Sequence, residues 1–364
     1  MTISSAACDY LRLSLVPGVG VYTAQLLIQH CGSVANIWQQ TPAQWADVEG
    51  VGPKLIQALA AAFSEQNEAI IASIFNTCEQ QDIQLICPED EAWPANLMGC
   101  SDAPLVLYAK GNLDCLGNEK ILGMVGARKA SAEGKLIARR WSAYCSSQDV
   151  VMVSGMAPGI DSAVHGGSLD SVKAGVAVLG YGFGAGSVQQ QKQIAALADL
   201  GCVLTEYAPE VQAHPAFFPQ RNRIIAGLSQ ALVIIEGGLK SGSLITARQG
   251  LNYGREIFAV PGSVLNDMHA GCHQLIQDGA QLANDAEYVM RCMGWHTQRS
   301  AKNHYQPSDE TEAKLLEMLG NQILHIDNLA EDCCLTVPAL STILLRLELE
   351  GVIEKLPGSR YTLS

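Results

Sequence analysis

A chain of 364 residues with 48% hydrophobic content has room for two or three domains with buried cores, and that content argues against a disordered protein. Its formal net charge of −13 argues against a general polyanion binder, so any nucleic-acid contact must rest on a local cluster of cations. The twelve cysteines include no CxxC pair, and the isolated Cys333-Cys334 doublet supplies neither a zinc nor a disulfide framework, which fits a reducing cytoplasm. The first residues lack a basic region followed by an apolar core, and no apolar run reaches the ~18 residues of a spanning helix, so neither a signal peptide nor a membrane span is expected.

Residues 1–64 read as a small helical domain. It contains two similar turns, Val16-Pro17-Gly18-Val19-Gly20 and Glu49-Gly50-Val51-Gly52-Pro53-Lys54, each followed by an amphipathic helix. An hGhG turn between helices is similar to the helix-hairpin-helix motif, whose glycines let backbone N–H groups approach a DNA phosphate. The alternative is a tight turn in a helical bundle used for protein contacts, and the absence of Lys and Arg from 16 to 32 favours it. Residues 65–118 read as a connecting helix (65–81) and two strands (83–86 and 105–108) that extend the sheet to follow.

Residues 119–293 alternate strand and helix. The apolar runs 121–125, 150–153, 175–179, 202–205, 231–235 and 256–260 are short and lack alternation, as strands covered on both faces should be. Each ends in glycine, serine or a polar group. This pattern is a doubly wound, mostly parallel, Rossmann-like α/β sheet, in which ligands bind beyond the carboxyl ends of the strands. Neither a GxGxxG dinucleotide fingerprint nor a GxxxxGK[ST] phosphate loop is present.

Several strand-end residues point to phosphate. Gly126-Ala127-Arg128 closes the first strand of this core, where Arg128 reads as an anion ligand. Ser154-Gly155 closes the second. Arg221-Asn222-Arg223 follows Phe217-Phe218-Pro219 at or near a helix start and reads as a phosphate contact; the alternative pairs Arg223 with Asp161 or Glu236. Lys240 flanks Ser241-Gly242-Ser243, which opens a helix with N–H and hydroxyl donors; a simple cap explains Ser243 but not the cluster. Asp161 reads as a helix cap, with pairing to an arginine as the alternative. Glu236 is either a catalytic carboxylate or a partner for an arginine or a backbone nest. Phe217 and Phe218 are candidates for base stacking or for core packing. His165, His269 and His273 are not spaced as metal ligands, so no metal is expected, and sequence order alone supports no Ser-His-Asp arrangement.

Residues 294–308 are polar and read as a linker. Residues 309–364 read as three short helices (312–319, 326–332, 337–349) and a hairpin (352–356, 360–363), a winged helix. Its third helix is poor in cations and its acids outnumber its bases, so a protein partner is favoured over DNA there.

The blocks VGAR (125–128), SGMAPGIDSAVHGG (154–167), FPQRNRIIAGLS (218–229), EGGLKSGSLITARQ (236–249) and GREIFAVPG (254–262) resemble the DNA-processing protein A (DprA/Smf) family. The resemblance implies a Rossmann-like domain preceded by a SAM or helix-hairpin-helix domain and followed by a winged helix. It implies a non-enzymatic protein that binds and protects single-stranded DNA in natural transformation and helps load the RecA recombinase. A homodimer through the Rossmann-like domain is the family expectation. The family's pocket positions match at Gly126, Arg128, Arg221, Asn222, Arg223, Lys240, Ser241, Gly242, Ser243 and Thr246. The chain departs from the family after the third strand of the core: 180–191 lacks the usual Asp and Tyr-Pro, with Lys192 as a possible substitute, and His273 stands in place of an Asn. A reading from another class is a Rossmann-fold enzyme acting on a nucleotide-derived small molecule, with Glu236 as general acid or base.

Overall fold

The computed structural model describes residues 4–171, 175–295, 307–320, 322–333 and 335–363. The chain divides into two units, residues 1–296 and 297–364.

In the first unit, the N-terminal helices are α1 (Ser5–Leu15), α2 (Val21–Cys31), α3 (Val34–Ile37), α4 (Pro42–Ala46), α5 (Pro53–Ala60) and α6 (Glu65–Gln80). The two hGhG turns are conformational duplicates. Gly18 and Gly50 are left-handed (φ 89° and 82°), a conformation open to glycine without strain, and Gly20 and Gly52 are extended helix caps. The Val19 and Val51 amides each donate to the carbonyl three residues back, at 3.1 Å. Arg12 is buried, its guanidinium 4.0 Å from the centre of the Phe63 ring and paired with Glu68. Leu11, Leu27, Ile37 and Leu59 share one apolar cluster with Leu179, Tyr181, Phe183 and Ile194. The core therefore runs on past residue 64, where the sequence suggested a domain boundary.

The sheet follows: β1 (Gln84–Ile86), α7 (Ala95–Met98), β2 (Leu107–Gly111), β3 (Ile121–Val125), α8 (Ala132–Ser147), β4 (Val151–Ser154), α9 (Ile160–Asp170), β5 (Gly175–Val178), α10 (Val188–Leu200), β6 (Cys202–Thr205), α11 (Phe217–Leu228), β7 (Ala231–Ile234), α12 (Gly242–Asn252), β8 (Glu256–Ala259), α13 (Ala270–Gln277), β9 (Gln281–Leu282) and α14 (Ala286–Cys292). Strand order is β1-β2-β6-β5-β4-β3-β7-β8-β9. Neighbours from β6 through β9 are parallel, while β2 pairs antiparallel with both β1 and β6. After β3 the chain winds outward through β4, β5 and β6, then crosses back to β7 on the other side of β3. The order of strands thus reverses between β3 and β7, and an open α/β sheet has its ligand crevice at such a point.

The predicted buried runs are strands, and β3, β4, β5, β6 and β7 are buried at every position. β2 lies two residues later than 105–108. Leu105 and Val106 are buried but precede the ladder, whose register runs from Tyr108↔Thr205 to Gly111↔Cys202. The short strand β9 and the helix α10 were not anticipated. β9 has two residues, and α10 buries only Ile194 and Leu197 behind a glutamine-rich first turn.

The second unit contains α15 (Glu310–Leu319), β10 (Leu324–His325), α16 (Ile326–Asp332), α17 (Val337–Leu349), β11 (Ile353–Leu356) and β12 (Arg360–Leu363), with strand order β10-β12-β11. This is the expected winged helix with one added short strand. Its core is Leu315, Leu319, Leu329, Leu340, Leu344 and Leu347. Arg346, the one arginine of α17, is paired with the fully buried Glu312, which further weakens that helix as a DNA reader. Most of the predicted linker (294–308), residues 296–306, and Cys334 of the cysteine doublet fall outside the described residues. Among the described residues no single helix is long and apolar enough to cross a membrane.

Candidate nucleic-acid interface

At the carboxyl ends of β3 and β7 lies a crevice of about 520 Å³. It is walled by the β3 exit (Val125 to Lys129), the start of α9 (Asp161), the first turns of α11 (Phe218, Pro219, Arg221, Asn222) and the loop and start of α12 (Gly238, Lys240 to Ser243, Thr246). The backbone at these strand ends is tightly tied. The Ala127 amide donates to the Glu236 carbonyl at 2.7 Å, and the Ile160 amide donates to the Ala127 carbonyl at 3.2 Å. Gly159 (φ 93°) permits this approach, since any side chain there would strike the Ala127 and Arg128 carbonyls.

Four cations line the crevice, Arg128, Lys129, Arg221 and Lys240, against one carboxylate, Asp161. Arg128, Lys129 and Lys240 are exposed, and the Arg128 guanidinium sits 4.9 Å from the centre of the Phe218 ring. Ser241 caps α12: its hydroxyl accepts from the Ser243 amide at 3.3 Å and lies 2.8 Å from the Ser243 hydroxyl. The amide end of α12 adds its dipole to the same space. Asn222 donates to the Gly242 carbonyl at 3.3 Å and so ties α11 to α12. Thr246, buried one turn in, donates its hydroxyl back to Gly242. An acidic chain thus carries a local cationic pocket lined with amide and hydroxyl donors, the chemistry of a phosphate site.

Nine of the twelve predicted residues line this crevice: Gly126, Arg128, Arg221, Asn222, Lys240, Ser241, Gly242, Ser243 and Thr246. Three do not, and each needs correcting. Ser154 is fully buried and its hydroxyl donates to the Met124 carbonyl at 2.7 Å, so it braces β4 on β3. Gly155 lies beneath the site, where a side chain would collide with the Asp161 carboxylate and the Arg221 guanidinium. Arg223 faces away and pairs with Glu206 at 2.5 Å, not with Asp161 or Glu236. The alternation of residues around α11 separates Arg221 from Arg223, because positions two apart on a helix do not share a face.

Glu236 is likewise excluded from the crevice. It is fully buried, and its Oε2 accepts from the Ser131 amide at 2.8 Å at the start of α8, as the backbone-partner reading has it. Asp161 is in the first turn of α9, whose cap is Gly159, and its nearest cation is Arg221. Burial pushes the Asp161 carboxyl up and the Arg221 guanidinium down, and each is opposed by the charge of the other. Lys192 is exposed on α10 and does not line the crevice. In the loop that departs from the family, Gln191 donates to the Phe183 and Ala185 carbonyls at 2.8 and 2.6 Å, which closes the loop on itself. His273 lies 3.0 Å from the Gly262 carbonyl and braces the β8 exit. Sequence reasoning overlooked Lys129, Pro215 and Met268 on the crevice wall; the basic doublet Arg128-Lys129 was the available signal for the first.

Under the site, His165 is buried with its Nε2 2.5 Å from the Gly155 carbonyl, and burial holds its pKa down at about 4 against an ordinary 6.5. The folded protein therefore keeps this ring neutral where the unfolded chain protonates it. Stability should be undiminished by this group above pH 6.5 and fall by about 3 kcal/mol between pH 6.5 and 4, with no further loss from it below. Urea unfolding across that window checks it, and His165→Gln should flatten the dependence.

Fold and crevice together define an open, doubly wound α/β protein with a cationic, amide-lined crevice at its switch point. Two family models match, DNA recombination-mediator protein A over residues 84–294 and the DprA winged helix domain over residues 299–359. The chain belongs to the DNA-processing protein A (DprA/Smf) family. Protein Smf of Escherichia coli K12 is 34% identical over 290 residues, 77% of this chain and 77% of that protein. The X-ray structure of DprA from Streptococcus pneumoniae superposes with a TM-score of 0.70 at 30% identity, covering 80% of this chain and 98% of that one. DprA from Helicobacter pylori, described for its single-stranded DNA binding mode, shares the fold (TM-score 0.51, 23% identity, 58% of this chain and 95% of that one). Among the described residues no cluster of His, Cys, Asp and Glu is arranged to hold a metal.

Proposed function

We propose that this protein binds single-stranded DNA in the cytoplasm, protects it, and assists its transfer to the RecA recombinase in natural transformation and recombination, without catalysing a reaction. One observation carries the reading: Arg128, Lys129, Arg221 and Lys240 converge with the amide end of α12 in one crevice of a chain whose net charge is −13. The DNA-binding relative from Helicobacter pylori supports the choice of ligand, and family membership supports the RecA step. A homodimer through the Rossmann-like domain belongs to the same proposal; the β9 edge of the sheet, with Leu282 exposed, offers a surface for it.

The test compares binding of labelled oligo-dT, duplex of equal length, and free nucleotides. Micromolar or tighter binding to oligo-dT, weaker binding to duplex and little to mononucleotides is the expected result. Nucleotide turnover that Glu236→Gln abolishes would replace this reading with an enzyme, an outcome opposed by the burial of Glu236 behind Ser131.

A further inference from the structure

The two phenylalanines ahead of Arg221 have different fates. Phe218 packs against the main apolar cluster and is held between Gly180 and the Arg128 guanidinium. Phe217 joins none of the apolar clusters. It is half-exposed, stacked on Tyr207 with ring centroids 4.4 Å apart and planes 27° apart, and flanked by the exposed His214 ring at 5.4 Å. The Tyr207 hydroxyl is held by Gln220 at 3.2 Å, which fixes the ring from its polar end. His214 adjoins Pro215 in sequence and Phe217 adjoins Phe218, and both Pro215 and Phe218 are on the crevice wall. Three aromatic rings outside the core thus stand at the rim of a cationic pocket. Aromatic rings beside a backbone-tracking groove are how unpaired bases are held, since every base has a face to stack.

We propose that Tyr207, His214 and Phe217 form a base-stacking ledge that continues the phosphate crevice and selects unpaired over paired DNA. Bases already stacked inside a duplex have no free face to offer it. This inference rests on the single-stranded-DNA reading above and adds to it a subsite for bases, which the crevice cations do not supply. The phosphate contacts supply the salt dependence, and the ledge supplies a contribution that salt leaves nearly unchanged.

The test measures binding of oligo-dT and of an abasic oligonucleotide of equal length to wild type, Phe217→Leu and Phe217→Trp. The ledge predicts that Phe217→Leu weakens oligo-dT binding about five- to tenfold, leaves abasic binding and the salt slope unchanged, and is rescued by Phe217→Trp. Unchanged melting of the Phe217→Leu protein shows that the fold survives. Equal weakening toward both oligonucleotides, or none toward either, overturns the ledge and leaves the phosphate crevice standing. Wild type that binds neither oligonucleotide overturns the DNA reading itself, and the ledge with it.

Discussion

Arg128→Ala is expected to weaken oligo-dT binding by about ten- to a hundredfold at low salt, the size of one or two lost charge-assisted hydrogen bonds. The guanidinium is exposed at the β3 exit and is oriented by the Phe218 ring, so its entropic cost on binding is already partly met. Because it is exposed, its removal should leave the unfolding midpoint nearly unchanged. Arg223→Gln is the matched contrast. It breaks the pair with Glu206 on the far side of α11, so it should lower stability while leaving the salt slope of binding as in wild type. Fluorescence anisotropy on both variants, alongside thermal melting, separates the two arginines. Equal losses of affinity in both would contradict the placement of the site.

Arg221→Met is expected to destabilise the fold by about 3–5 kcal/mol, the usual cost of leaving a buried charge, here that of Asp161, uncompensated. Arg221 is 4% exposed and Asp161 is 7% exposed, so neither reaches bulk solvent to recover the loss. The guanidinium also donates to the Val178 carbonyl at the end of β5, and that acceptor would lose its partner. Asp161→Asn in the same chain should restore part of the stability, because it removes the stranded charge. Urea unfolding at neutral pH measures all three proteins. A loss below about 1 kcal/mol for Arg221→Met would mean that Asp161 draws its compensation from elsewhere.

Much of this was legible in the sequence, for identifiable reasons. The runs ILGMV, ALVI and EIFA lack alternation because both faces of the sheet are covered, and that reads directly as parallel strands. The Lys-Ser-Gly-Ser cluster was legible because a strand end followed by small residues and a helix leaves few other uses for a cation there. Arg223 was misjudged because positions two apart on a helix fall on different faces, and because its partner Glu206 lies at another strand end, a fact of tertiary structure. Ser154 was misjudged because only the packed structure shows that its hydroxyl donates to the Met124 carbonyl on the neighbouring strand and not into the crevice. The split between Phe217 and Phe218 was invisible, since both are apolar and only packing separates core from rim. The helical boundary at 64 suggested a separate domain, but Leu59 and Phe183 belong to one apolar cluster, a long-range arrangement that no local pattern reports.

The central claim is that a cationic, amide-lined crevice grips the sugar-phosphate chain of unpaired DNA. A salt titration of oligo-dT binding tests it most directly. With three or four phosphates held, log K should fall against log salt with a slope of roughly −2 to −3, and Lys240→Ala should bring that slope about 0.7 closer to zero. A slope near zero, or the same slope in wild type and in Lys240→Ala, would contradict it.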